Sequence, residues 1–97
     1  MDTNSQRIIY RNALESFGYD KQIFMLVEEC GELLSAINKL NRGRISNEEV
    51  LDELADVSIM VEQIAEFFNW DFFLERKEFK QLRLRNRIEN HRKKAVQ

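Results

Sequence analysis

The sequence predicts an all-α fold, an antiparallel bundle of about four helices that a second copy of the chain completes. Three observations carry that expectation. The 97 residues include no proline and only three glycines, so the chain lacks the turn chemistry that an all-β fold requires. Apolar residues recur at helical rather than alternating spacing through four stretches. The polar punctuation between those stretches is short, and short connections make sequential helices antiparallel neighbours.

Each helix has its own start and stop signals. Asn4 or Ser5 is placed to cap the first, which carries Ile8, Ile9, Ala13, Leu14 and Phe17 and is expected to end at Gly18. Asp20 opens the second, which runs to about Leu40, where Asn41-Arg42-Gly43-Arg44 breaks the pattern. Ser46 with Glu49 forms a capping-box pattern for the third, which continues to about Phe68 before Asn69. Asp71 is expected to cap a fourth helix from Phe72 to about Arg92, carrying Phe72, Phe79, Leu82 and Ile88.

Composition bounds what such a chain can be. Hydrophobic residues make up 43% and charged residues 33%, a globular and helical balance rather than a disordered one. Ninety-seven residues form one domain, 1–97, with a small core, so self-association is expected. Cys30 is the single cysteine and excludes an internal disulfide; its position on an apolar stripe predicts a buried structural thiol. No stretch approaches the roughly 18 apolar residues of a membrane span, which predicts a soluble, cytoplasmic protein.

The chemistry lies in acidic pairs. Glu29 with Glu32, and Glu53 with Asp56, each stand at i,i+3 spacing. Advancing about 100° per residue, with Glu29 and Glu53 as zero, superimposes the two helices. Ile23, Leu26, Cys30, Leu33, Ile37 and Leu40 fill the sector from about 20° to 120° on one, and Val50, Leu54, Val57, Val61, Ile64 and Ala65 fill it on the other. The acids edge both stripes, so packing stripe on stripe converges four carboxylates. Such a cluster stays ionised in a partly dry cleft only beside a compensating charge. Oxygen donors with no nearby histidine point to a hard divalent ion, magnesium first and manganese next.

Net charge is −2, but it is segregated. Residues 1–75 carry six Lys or Arg against fifteen Asp or Glu; residues 76–97 carry nine against two. Lys80, Arg83 and Arg87 recur on one face of the last helix and can present three cations together, whereas Arg76, Arg85 and Lys94 are expected to solubilise. Phe67, Phe68, Trp70, Phe72 and Phe73 cluster between the third and fourth helices, more in keeping with an interface than with a base pocket. His91, in the basic tail, is expected at the surface.

The run Val27-Glu28-Glu29-Cys30-Gly31-Glu32-Leu33, followed by Asp52-Glu53-Leu54-Ala55-Asp56-Val57, resembles the EExxE, spacer, ExxD pattern of the MazG-type nucleotide pyrophosphohydrolases, in the all-α NTP pyrophosphatase superfamily. The resemblance extends from the second helix into the basic fourth. It implies hydrolysis of nucleoside or deoxynucleoside triphosphates to a nucleoside monophosphate and pyrophosphate by metal-activated water, in a homodimer or homotetramer. It makes Glu29, Glu32, Glu53 and Asp56 the metal ligands. Glu28 and Asp52, at about 260°, suit an outer role orienting water or ligand. Lys39, on the face of Glu32, together with Lys80, Arg83 and Arg87, are the candidate phosphate contacts; Arg42 and Arg44 are weaker ones.

Related assignments are separable. In phosphoribosyl-ATP pyrophosphatases a tyrosine and histidine commonly follow the second aspartate, and here Val57-Ser58-Ile59-Met60 stands instead. Dimeric dUTPases are a further relative by fold. A non-catalytic helical module that binds metal or nucleotide is the alternative of a different class. Nucleic-acid binding through the basic tail is third, and predicts affinity that falls steeply with salt and survives chelation.

Overall fold

In the computed structural model, which describes residues 1–96, four helices follow one another: α1 Thr3–Phe17, α2 Tyr19–Asn41, α3 Asn47–Phe68 and α4 Trp70–Val96. No strand occurs among the described residues. The expected all-α class and the helix count therefore hold, and the helix ends explain themselves locally.

α1 begins earlier than expected because Asp2, rather than Asn4 or Ser5, is its cap, accepting from the Ser5 N–H at 2.7 Å. Gly18 alone separates α1 from α2; it adopts φ 86° and closes α1 with an N–H to Leu14 carbonyl bond of 2.9 Å. Asp20 lies inside the first turn of α2 rather than opening it. Ser46 caps α3 as expected, accepting from the Glu49 N–H at 3.2 Å. Asn69 replaces Asp71 as the cap of α4: its side chain accepts from the Phe72 N–H at 2.9 Å. α4 then continues to Val96, past the expected end near Arg92.

The α2 terminus is a Schellman arrangement. Arg44 N–H reaches the Lys39 carbonyl at 2.8 Å and Gly43 N–H the Leu40 carbonyl at 2.9 Å, with Gly43 at φ 68°. Nothing lies within 4 Å of a Cβ built on Gly43, so only the backbone resists substitution there. Gly43→Ala is expected to cost about 1–2 kcal/mol. Gly31→Ala, inside α2 and equally uncrowded, is expected to stabilise by about 0.5–1 kcal/mol. Urea melts of both variants check the opposite signs.

α2 and α3 form the main hairpin. Gln22 donates to Gln63 at 2.7 Å at one end, Glu29 meets Glu53 and Asp56 midway, and Ala36 and Lys39 share a cleft with Glu49 near the loop, so the helices run antiparallel. The seam differs from the expected stripe. Among the buried or half-buried residues of its two helices are Gln22, Ile23, Met25, Leu26, Glu29, Leu33, Ala36 and Leu40 of α2, with Val50, Glu53, Val57, Met60, Gln63, Ile64 and Ala65 of α3. These centre near 0–20°, so Glu29 and Glu53 stand in the seam itself rather than at its edge. Cys30, Ile37, Leu54 and Val61, at about 80–100°, are left exposed. The expectation of a buried Cys30 is therefore corrected.

α1 docks on the hairpin through polar as well as apolar contacts. Arg7 and Arg11 converge on Glu66, with Nε to carboxylate distances of 2.7 and 2.9 Å, and Tyr10 donates its hydroxyl to Glu62. Tyr10, Ala65 and Trp70 form the core cluster, with Phe73 against it. Trp70 and Phe73 are thus structural, whereas Phe67, Phe68 and Phe72 remain exposed. Tyr19 stacks on Phe67 with ring centroids 4.2 Å apart. α4 packs against α3 and, through Trp70, against Tyr10 and Arg7 of α1; from Leu74 to Val96 every residue, His91 included, is exposed. The fourth helix therefore leaves the bundle of its own chain.

Candidate metal centre

α2 and α3 cross with Glu29, Glu53 and Asp56 facing one another, so that one carboxylate oxygen from each lies within 4.8 Å of the others. One oxygen of Glu29 and one of Glu53, the Oε2 atoms, retain under 1 Å² of accessible surface and have no hydrogen-bond partner. Burial raises both carboxyls above their ordinary value of 4.5; the charges of Glu32 and Asp56 add to this at both positions. Glu53 is pushed further by Asp52, and Glu29 by Glu53. Among the described residues the ion pairs are those of Arg7 and Arg11 with Glu66, so no side-chain cation answers the cluster.

Glu32 stands one step outward. It is exposed, acts on both Glu29 and Glu53, and lines a cleft of about 320 Å³ together with Ser35, Ala36, Lys39, Ile45, Glu49 and Glu53. That volume lies at the lower end for small-molecule clefts. Lys39 is thus the one expected phosphate contact that borders the acids. Lys80, Arg83 and Arg87 do not line this cleft, because α4 departs from the end of α3 and is exposed from Leu74 onward. Lys80 instead lines a groove on α4 with Phe73 and Leu84. Glu28 and Asp52 are exposed, outside the tight triad.

Glu49 and Ser35 were not singled out from the sequence. Glu49 is one helical turn before Glu53, a spacing that could have flagged it, but its role beside Ser46 accounted for it sufficiently. Ser35 reaches the cleft because the seam is turned toward the acids, which periodicity did not reveal.

The donor set fits a hard divalent cation. Two oxygens buried without partners, held by opposing helices and surrounded by like charge, are arranged as a cation would require. No family model, no curated protein and no solved structure matches the chain. The geometry of these residues is therefore the ground for any functional reading.

The raised carboxyls have a consequence for stability. Because Glu29 and Glu53 hold protons in the folded state that the unfolded chain has released, their contribution is intact below the ordinary value of 4.5 and is lost as pH rises through the raised folded values. Glu66 acts in the opposite sense. Burial pushes its carboxyl up, but hydrogen bonds and charge from Arg7 and Arg11 outweigh this and hold it below the ordinary range. Its contribution is lost as pH falls through that lowered value. Thermal melts in chelator are expected to show a midpoint that declines as pH rises above 4.5, with magnesium restoring it near neutrality. A midpoint that does not respond to magnesium at neutral pH would contradict the cation reading.

Proposed function

We propose that the chain is a divalent-metal-dependent pyrophosphohydrolase, cleaving a nucleoside triphosphate between its α and β phosphates to give a nucleoside monophosphate and pyrophosphate. The observation that supports this best is the pair of buried, unpartnered oxygens on Glu29 and Glu53, facing Asp56 beside a cleft with Glu32 and Lys39 at its wall. The spacing of these acids, which resembles the MazG-type pattern, supports the choice of substrate.

Glu29, Glu53 and Asp56 would hold magnesium, or manganese in its place, with Glu32 completing the set from the exposed side. When bound, that ion supplies charge neutralisation for an anionic substrate and lowers the pKa of a water. The residues of the chain do the rest. Like charge on the acids repels the polyphosphate, so that its negative oxygens would point away from α2 and α3 except where the cation intervenes. Lys39 offers an ammonium, and Ser35 a hydroxyl, to phosphate oxygens in the cleft. Ala36 and Ile45 give that cleft an apolar wall, which strengthens the polar contacts beside it.

The domain is read as one unit, 1–97, working as a homodimer or homotetramer, and a nucleotide substrate agrees with the cytoplasmic setting expected from composition. Among the described residues no helix is long and apolar enough to cross a membrane. The deciding experiment is pyrophosphate release from a panel of ribo- and deoxyribonucleoside triphosphates, with magnesium and with chelator. Metal-dependent release from at least one is the expected result. Magnesium-dependent stabilisation without release from any triphosphate would favour the non-catalytic helical module.

A further inference from the structure

The last helix carries a charge pattern that neither the fold nor the acidic cleft uses. With Trp70 as zero and about 100° per residue, the acids of α4, Asp71, Glu75, Glu78 and Glu89, fall between about 80° and 140°. Arg76, Lys80, Arg83, Arg87 and Lys94 fall between about 220° and 280°, on the opposite face, with no acid among them. Lys77, Arg85 and Arg92 form a second row between about 340° and 60°. Lys93 alone lies among the acids. Arg76 and Lys94, expected only to solubilise, thus extend the row of Lys80, Arg83 and Arg87.

These cations are free to meet a partner. Every residue from Leu74 to Val96 is exposed, and no α4 cation forms an ion pair among the described residues. A groove of about 380 Å³, lined by Arg76 and Lys80 from the first row, Lys77 from the second and Leu84 between them, shows both rows flanking one open strip. At about 1.5 Å per residue the first row runs for about 27 Å. A nucleoside triphosphate meets only neighbouring members of such a row, whereas a polymer of regularly spaced phosphates meets all of it. The acidic body does not cancel the pattern. Arg83 stands about 21 Å along the helix from the junction at Asn69, beyond the Debye length of about 8 Å at physiological salt.

We infer that α4 binds double-stranded DNA without sequence preference, lying in the major groove with one cationic row toward each strand. A helix about 10–12 Å across fits a groove about 12 Å wide, and continuous basic helices are a known way to occupy it. Other polyanions fit less well. Single strands need aromatic faces on which bases stack, but Phe79, the last phenylalanine of the chain, lies at about 180°, away from both rows, with the Arg76 guanidinium 4.9 Å from its ring centroid. Duplex RNA has a major groove too narrow for a helix. An anionic membrane needs one continuous apolar face, whereas Leu82, Phe79, Leu84 and Ile88 are spread over about 120°, 180°, 320° and 0°.

The test is fluorescence anisotropy of a labelled DNA duplex of about 20 base pairs, longer than the row, titrated with the full chain in chelator. Wild type is expected to bind, with log Kd rising against log salt at a slope of about 4.5 if the first row is engaged and about 7 if both are. Arg87→Ala should lower that slope by about 1. Lys80→Ala, Arg83→Ala and Arg87→Ala together should lower it by about 3 and weaken binding about 100-fold or more at about 0.1 M salt. Lys93→Ala should change neither. All four side chains are exposed, so the variants should fold, which circular dichroism verifies. No binding at about 50 mM salt would overturn the inference. So would binding that survives the triple change or falls as far with Lys93→Ala, tighter binding to the single strand, to duplex RNA or to phosphatidylserine vesicles, or displacement of the duplex by metal-free ATP. Because the assay reads binding in chelator, its failure leaves the pyrophosphohydrolase reading standing, and failure of that reading leaves this one.

Discussion

Glu53→Gln is expected to reduce pyrophosphate release by about 10³-fold or more while raising the thermal midpoint of the metal-free protein at neutral pH. The two effects have one cause. Glu53 faces Glu29 and Asp56 across the seam, and its buried Oε2 has no partner. Burial first, then Glu32, Asp56 and Asp52, oppose its ionisation. Glutamine keeps the shape, removes the charge and brings an amide donor that the unpartnered oxygen of Glu29 can use, so the metal-free fold loses repulsion. Under the proposed function the same change would remove a charged ligand for the cation, where several kcal/mol of charge stabilisation are at stake. Pyrophosphate release assayed with magnesium, beside thermal melts with and without it, separates the outcomes. A variant that loses activity because it is less stable would show Glu53 to be structural. A variant as active as the wild type would remove it from the reaction.

Trp70→Ala is the second large effect, and it is on the fold. Trp70, 8% exposed, is the first residue of α4. Its ring packs against Phe73 at a centroid distance of 5.9 Å and against Tyr10 at 6.5 Å, with the Arg7 guanidinium 5.5 Å from its centroid. One side chain therefore ties α1, the end of α3 and the start of α4 together across the single-residue connection at Asn69. Truncation is expected to cost about 3–5 kcal/mol. At about 4–8 °C per kcal/mol for a domain of this size, the midpoint should fall by more than about 12 °C. Phe72→Ala, two residues on and 57% exposed, is the comparison and should change stability by under about 1 kcal/mol in the single chain. Thermal circular dichroism on both variants checks the contrast. Similar small shifts in both would show that α1 is held chiefly by Arg7, Arg11 and Tyr10.

Local signals were read from the sequence where the chemistry is local. Ser46 caps α3 through Glu49, and Gly43 terminates α2, because both depend on residues within one turn. The caps Asp2 and Asn69 were missed in favour of Asn4 or Ser5 and of Asp71, since any of these side chains can accept from an N–H two or three positions on. Choosing among them depends on where the apolar face first packs.

The acids illustrate the same division. Their i,i+3 spacing and common phase are sequence properties, and they predicted that Glu29, Glu32, Glu53 and Asp56 would converge; in the structure Glu29, Glu53 and Asp56 face one another and Glu32 lies outside that triad. Periodicity places residues on a helix to within a sector, and it could not tell which flank of a broad apolar stripe the partner helix would choose. The buried Gln22 and Gln63 favour the observed seam, because the Gln22 amide can donate to the Gln63 carbonyl oxygen only when the two side chains meet across it. That seam leaves Cys30, Ile37, Leu54 and Val61 outside.

The sequence by itself determined the all-α class, four helices and an acidic quartet in phase, because spacing, caps and the absence of proline act within a few residues. The tertiary structure alone decided that Glu32 stands outside the tight triad, that Lys39 borders the cleft and that Lys80, Arg83 and Arg87 do not. Those outcomes depend on how two helices rotate against each other and on the direction in which α4 leaves Asn69. Both are set by packing between residues distant in the chain, which no local pattern encodes.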